Sequence, residues 1–188
     1  MTRQNLLLVP GLLCNAALWE HQSRYLDDIA EISIADTLCD DSVGDMAERI
    51  LDAAPQRFCL AGLSMGGYVA QEIMRQAPDR VEKLALLDTS ARPDSDEQRR
   101  RRRGLISLAR TGKFKGVTPR LLPLLIHGDR LEDDALTRTI MEMAADVGQE
   151  AFLRQQTAIL DRPDSRGSLA AIHVPTLVVC GRQDELTP

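Results

Sequence analysis

The sequence predicts an α/β protein whose helices cover both faces of a mostly parallel sheet. Short apolar runs alternate with segments of helical periodicity, which is the order of β-α-β units. A glycine-rich turn at residues 62–67 joins one of these runs directly to a helical segment. The chain has 188 residues, of which 44% are hydrophobic and 27% are charged. A domain of this length buries enough surface to fold without disulfides or metals.

Strands and helices can be placed in regular order before residue 91. We predict strands at residues 5–10, 31–35, 58–61 and 81–87, and helices at residues 17–29, 43–54 and 68–77. Ser42 has the position of an N-cap residue, and Pro78 lies where the third helix should stop.

A long segment separates the fourth strand from the next apolar run, Thr176–Cys180. A parallel crossover needs little more than ~12 residues, whereas residues 89–175 intervene. The pattern of this segment is mostly helical. We therefore predict a helical lid at residues 91–167, inserted into a core formed by residues 1–90 and 168–188. The side chains of its basic run, Arg99–Arg103, would point in all directions around a helix, and acidic residues lie beside them. Both features favour a solvated surface over a protein-binding site.

Charge and cysteine usage exclude several classes of protein. The net charge is -5, from 23 Lys and Arg against 28 Asp and Glu, so neither nucleic acid nor an anionic membrane is an expected partner. The four cysteines have no metal-ligand spacing; they are Cys14, Cys39, Cys59 and Cys180. Free thiols indicate a reducing compartment, so we expect a cytoplasmic protein. No metal or other cofactor is predicted.

The sharpest motif is Gly62-Leu63-Ser64-Met65-Gly66, which follows a strand and precedes a helix. This context is the one that a nucleophile elbow requires, because the two glycines let Ser64 occupy a strained apex with its hydroxyl exposed. The alternative is a glycine-rich strand-to-helix turn whose serine has no catalytic role. A phosphate-binding loop is disfavoured because no Gly-Lys-Ser/Thr follows.

Three further motifs accompany the elbow: Leu8–Leu12 after the first strand, Leu86–Asp88 after the fourth, and Val174–Asp184 with Pro188 near the end. With them, the chain from Asn5 onward resembles the α/β-hydrolase superfamily, specifically its lid-bearing serine hydrolases and esterases.

The resemblance implies a role for each of four residues. The backbone N–H groups of Leu12 and Met65 would form the oxyanion hole, although Pro10-Gly11 stands where many members have His-Gly. Ser64 would be the nucleophile. Asp184 would be the acid that orients the catalytic histidine. Asp88 is the alternative acid, because it also ends a strand at the carboxyl edge of the sheet.

The catalytic histidine is missing from its usual place, because only residues 185–188 follow Asp184. We expect His21 to be an exposed helix residue, His127 a turn residue, and His173 a residue at the sheet edge opposite Ser64. The resemblance also implies further strands and helices after Asp184. We therefore expect the chain to be a fragment whose C-terminal part is missing.

The predicted function is hydrolysis of a carboxylic ester, lactone or thioester of a small molecule through an acyl-enzyme on Ser64. The expected partner is a small-molecule acyl substrate. Two alternatives stay open. One is hydrolysis of a carbon–carbon bond in the same fold, and the other is a relative that binds ligands without catalysis.

Overall fold

The computed structural model describes residues 3–187 and has a central sheet of five strands. The strands are β1 (Gln4–Val9), β2 (Ala30–Ile34), β3 (Phe58–Leu63), β4 (Val81–Leu87) and β5 (Thr176–Val179). Their order in the sheet is β2-β1-β3-β4-β5, and every neighbouring pair is parallel. The predicted α/β class and parallel sheet are therefore confirmed.

The helices are α1 (Glu20–Tyr25), α2 (Val43–Ala53), α3 (Met65–Gln76), α4 (Asp96–Leu108) and α5 (Asp134–Leu160). The first is shorter than residues 17–29, which was the predicted span. It follows a 3₁₀ turn at Ala16–Trp19 and ends at Tyr25. The carbonyl of Leu26 then accepts the N–H groups of Ile29 and Ala30, at 3.1 and 2.8 Å, and this turn leads the chain into β2. None of the helices described in residues 3–187 combines the length and the apolar composition of a membrane span.

The core lies on both faces of the sheet because side chains alternate along each strand. Leu7 and Leu60 belong to the larger cluster, which α2 and α3 cover. Leu8 and Ala61 point to the other face and pack with Trp19. The predicted coverage of both faces is therefore seen at the centre of the sheet.

The edge strand β5 differs from the central strands because its apolar side chains are accessible. Leu177 is 57% exposed and Val178 is 71% exposed. These residues point to opposite faces of the sheet, since they are neighbours in one strand. Neither face of β5 is covered by the elements of residues 3–187.

The segment between β4 and β5 is mainly helical. Its two long helices are α4 and α5, and short 3₁₀ turns lie between them. Gly148 interrupts α5 with a φ of +74° and a ψ of 178°. Glycine adopts this backbone readily, whereas other residues are strained there.

A buried ion-pair cluster anchors this segment to the core. The Asp94 carboxylate accepts from Arg102 Nε on α4 at 2.8 Å and from Arg162 Nη1, just after α5, at 2.7 Å. The guanidinium of Arg162 also lies 4.2 Å from the ring centroid of Tyr68 on α3. Arg102 therefore departs from the solvated-surface prediction for the basic run. Its side chain is 18% exposed and reaches the Asp94 carboxylate, whereas Arg101 and Arg103 on either side of it are exposed.

The cluster predicts a specific dependence of stability on pH. Burial by itself raises the pKa of Asp94, but the hydrogen bonds and charges of Arg102 and Arg162 outweigh it and lower the pKa below its ordinary value of 3.8. The unfolded chain then binds a proton more tightly than the folded chain. The stabilisation is complete above pH ~4 and is lost as the pH falls through the lowered value. We expect the Asp94→Asn variant to be less stable at pH 7 and to lose less stability on acidification than the parent.

Urea unfolding between pH 7 and pH 2.5 measures this difference. Asp27→Asn is the matched control, because Asp27 is an exposed carboxylate paired with Arg3 and such surface pairs contribute at most about 1 kcal/mol. Parallel pH profiles for the parent and the Asp94 variant would contradict the prediction.

Candidate active site

Ser64 occupies the sharp turn between β3 and α3. Its backbone has a φ of +53° and a ψ of −112°, a conformation that costs a residue other than glycine about 1–3 kcal/mol. The turn is held from both sides. The Ser64 N–H donates to Leu87 O at 2.9 Å, and Thr89 Oγ1 donates to Ser64 O at 2.7 Å. The strain at Ser64 is therefore maintained by β4 and the loop that follows it.

Three glycines in and directly after the motif are required by close contacts with neighbouring segments. A Cβ on Gly62 would lie 2.2 Å from the carbonyl oxygen of Gly66, and one on Gly66 would lie 2.1 Å from that of Val9. A Cβ on Gly67 would lie 2.3 Å from Thr89 Oγ1. Real Cβ atoms do not approach so closely. The three glycines thus let α3 begin directly against the ends of β1 and β4.

Strand register brings the candidate residues to one edge of the sheet. Val9 pairs with Gly62, Leu63 pairs with Leu87, and Leu87 pairs with Val179. The residues that follow these strands therefore lie in a row along the carboxyl edge. Neighbouring strands are ~4.8 Å apart, so the ends of β3 and β5 are separated by ~10 Å.

The loop after β1 lies beside Ser64, at the point where the strand order reverses. The chain passes from β1 to β2 on one side and then to β3 on the other, which is the place where ligands bind to open α/β sheets. A Cβ on Gly11 would lie 3.6 Å from Ser64 Cβ. In residues 3–187, neither Leu12 N–H nor Met65 N–H donates a hydrogen bond. Both donors are thus available next to the serine.

The residues after Leu12 hold this loop in place. The backbone of Leu13 has a φ of +59°, and its N–H donates to Gln155 Oε1 on α5 at 3.1 Å. Cys14 Sγ donates to Leu12 O at 3.4 Å. Burial raises the pKa of the Cys14 thiol to about 11, so this residue stays a thiol donor at neutral pH.

Asp184 lies in a tight turn after β5. Its Oδ1 accepts from the N–H groups of Leu186 and Thr187, at 2.8 and 3.1 Å, and its Oδ2 accepts from Thr187 Oγ1 at 2.6 Å. Burial raises the pKa of Asp184, but the hydrogen bonds from Thr187 and Leu186 outweigh it and lower the pKa below its usual range. The side chain is therefore a carboxylate at neutral pH.

Asp88 follows β4 in a left-handed conformation, with a φ of +41°. Its Oδ1 accepts from the N–H of Gly181 at 2.7 Å. This bond ties the end of β4 to the loop that carries Asp184. Side-chain atoms of Asp88, Cys180 and Asp184 all lie within 4.8 Å of one another, so the two acids predicted as alternatives are neighbours. By accepting this hydrogen bond, Asp88 stabilises the loop that carries Asp184.

None of the three histidines forms a hydrogen bond with this row of residues in the described part of the chain. The ring of His21 stacks on Tyr25, with ring centroids 4.4 Å apart. His127 Nδ1 accepts the N–H of Asp129 at 3.2 Å, and His173 is exposed before the amino end of β5. Within residues 3–187, no histidine forms a hydrogen bond with Ser64 or Asp184. The described part of the chain thus provides the elbow and the acid without the imidazole.

Comparison with known proteins assigns this arrangement to a family. The model of the alpha/beta hydrolase family matches residues 6–188, nearly the whole chain. The chain belongs to the alpha/beta hydrolase family. The parallel sheet, the strained serine between β3 and α3, and the acid after β5 all lie within the matched residues.

The chain is similar to named members of this family. A pimeloyl-[acyl-carrier protein] methyl ester esterase of Nitrosomonas europaea is 31% identical over 158 residues, which cover 79% of this chain and 61% of the relative. The enzyme of that name from Vibrio cholerae is 26% identical over 98% of this chain and 78% of its own length. The chain thus spans less than two thirds of the Nitrosomonas relative.

Solved structures with the same fold are also similar to this chain. An esterase from Thermogutta terrifontis superposes with a TM-score of 0.85 and 28% identity, covering 100% of this chain and 74% of that one. An enol-lactonase from Burkholderia xenovorans superposes with a TM-score of 0.83 and 22% identity, covering 97% of this chain and 74% of that one. The second likeness concerns the fold alone.

Two residues that contact the site were not predicted from the sequence. Thr89 Oγ1 donates to the carbonyl oxygen of Ser64, and Gln155 Oε1 accepts the N–H of Leu13 in the loop after β1. Gln155 carries a weak sequence signal, because it shares a helix face with Ala151, Phe152 and Ile159, all of which are buried. A polar residue at an apolar position of an amphipathic helix indicates a buried hydrogen-bond partner.

Proposed function

We propose that this chain hydrolyses carboxylic esters of small molecules through an acyl-enzyme on Ser64. The observation that carries the proposal is the strained backbone of Ser64 beside the loop after β1, together with the N–H groups of Leu12 and Met65, which donate no hydrogen bond within residues 3–187. Attack on the ester carbonyl forms a tetrahedral intermediate whose negative charge lies on the carbonyl oxygen. Two N–H donors and the N-terminus of α3 stabilise that charge.

Proton transfer completes the reaction. A general base removes the Ser64 proton as the new bond forms and then delivers it to the departing alkoxide, which leaves as an alcohol. Water, activated by the same base, attacks the acyl-enzyme and releases a carboxylic acid. One water is consumed for each ester cleaved.

We propose Asp184 as the acid that orients this base. It is ionised, its turn is fixed by backbone hydrogen bonds, and ~10 Å between the ends of β3 and β5 leaves space for an imidazole. A histidine after Asp184 stays a prediction. The intact mass of the native protein tests it: additional residues with a histidine would support the triad, and a mass equal to that of these 188 residues would contradict it.

The relatives support an ester as the bond that is cleaved. The similar proteins are named as a methyl ester esterase and an esterase. We propose residues 91–167 as a lid over the substrate. This segment carries partly exposed leucines, which suit a moderately apolar acyl or alcohol group; they are Leu105, Leu108, Leu121, Leu124 and Leu125.

Two measurements on the native protein test the proposal. The first is turnover of p-nitrophenyl butyrate, an aryl ester of a short acid. The second is reaction with a fluorophosphonate, followed by peptide mass analysis. We expect turnover, and a covalent adduct on the peptide that contains Ser64. A protein that binds the ester saturably without turnover or adduct would instead be a ligand-binding relative.

A further inference from the structure

A glutamine of the inserted segment is built into the loop that follows β1. Gln155 lies on α5 and is fully buried, with 0% of its surface exposed. Its Oε1 accepts the N–H of Leu13 at 3.1 Å. Its Nε2 donates to both the carbonyl and the hydroxyl of Thr37, each at 3.3 Å. Thr37 lies in the loop after β2 and is 1% exposed.

The partner of Gln155 has an unusual backbone. Leu13 has a φ of +59°, a left-handed conformation that residues with a Cβ rarely adopt. Such a conformation persists only where surrounding contacts impose it. Within residues 3–187, the Leu13 N–H makes one hydrogen bond, which it donates to Gln155 Oε1. Leu13 directly follows Leu12, whose own N–H points to no partner in the same part of the chain.

From these contacts we infer that Gln155 is a positioning residue for the oxyanion hole. It fixes Leu13 in the left-handed conformation, and this keeps the adjacent peptide of Leu12 turned toward Ser64. Thr37 in turn fixes the orientation of the Gln155 amide. The two oxygens of Thr37 accept from the NH₂ group, so the carbonyl oxygen of the amide points to the Leu13 N–H. The role rests on the proposed function, since it concerns the charge that develops on the ester carbonyl oxygen.

The inference predicts a particular kinetic pattern. An oxyanion donor acts in the transition state, so its displacement lowers kcat with little change in KM. Removing a donor outright costs about 10²–10³-fold in rate. Loosening the loop displaces the donor without removing it, and we expect about a 10- to 100-fold loss in kcat for Gln155→Met. Methionine fills a similar volume without polar atoms.

The neighbouring glutamine is a matched control. Gln156 is 1% exposed on the same helix, but its Oε1 accepts from Arg102 Nη1 on α4 at 2.5 Å. We expect Gln156→Met to lower the stability of the protein while kcat stays within about 1.5-fold of the parent. A general effect of losing a buried amide on α5 would change both variants alike.

A transition-state analogue separates positioning from a purely structural effect. Aryl trifluoromethyl ketones add to the serine and form a tetrahedral oxyanion. Their inhibition constant should rise in Gln155→Met by about the factor by which kcat falls, with KM within threefold of the parent. Equal kcat values for the Gln155 and Gln156 variants would overturn the inference.

A milder variant keeps the inference testable if Gln155→Met does not fold. Thr37→Val removes one acceptor of the Gln155 amide and keeps nearly the same shape. We expect about a threefold loss in kcat with an unchanged KM, and an unchanged kcat would overturn the inference. A parent protein without ester turnover or phosphonate adduct would instead refute the proposed function, so the two failures are distinguishable.

Discussion

Replacing Ser64 with alanine is expected to lower kcat for p-nitrophenyl butyrate by at least about 10⁴-fold. Removal of the nucleophile from a serine hydrolase leaves only the contribution of binding and of the oxyanion hole, which is small beside covalent catalysis. The variant should also form no adduct with a fluorophosphonate. Initial rates at saturating ester and intact mass after labelling measure the two effects.

The fold should survive this substitution. Alanine at a φ of +53° is strained about as much as serine, and the hydrogen bonds of the turn join backbone atoms of residue 64 to Leu87 and Thr89. Ser107→Ala is the matched control, because Ser107 is an exposed serine on α4. It should retain full turnover. Turnover by Ser64→Ala at the parent rate would show that another group is the nucleophile.

Replacing Gly66 with alanine is expected to have the largest effect on stability. The new methyl group would lie 2.1 Å from Val9 O and 2.8 Å from Pro10 O. Both contacts are with backbone atoms, so no side-chain rotation can relieve them. Overpacking in a well-packed core costs about 1–3 kcal/mol and occasionally more. We expect the free energy of unfolding to fall by about 3 kcal/mol, with loss of the elbow geometry.

Gly104 provides a control of the same chemical change. It lies inside α4, and a Cβ there would meet nothing within 4 Å. Alanine is the better helix former, so Gly104→Ala should raise the free energy of unfolding by up to about 1 kcal/mol. Urea unfolding followed by circular dichroism compares the two variants with the parent. A Gly66→Ala protein as stable as the parent would refute the close approach of α3 to β1.

Local patterns were sufficient to predict the strands, the second and third helices and the elbow. Apolar periodicity depends only on which side chains must leave water, and this is a property of neighbouring residues. The end of the first helix was missed because the turn at Leu26 depends on backbone hydrogen bonds into β2. Arg102 was assigned to a solvated surface because its partner, Asp94, lies outside the helix that carries it.

The sequence by itself determined the α/β class, the position of Ser64 between a strand and a helix, and the presence of an acid after β5. Each of these follows from the order of residues along the chain. Tertiary structure decided that the loop after β1 lies beside the serine, that Asp88 supports the loop of Asp184, and that Gln155 reaches Leu13 across 142 positions. The physical reason is that hydrogen bonds between distant segments depend on register and packing, which local periodicity does not encode.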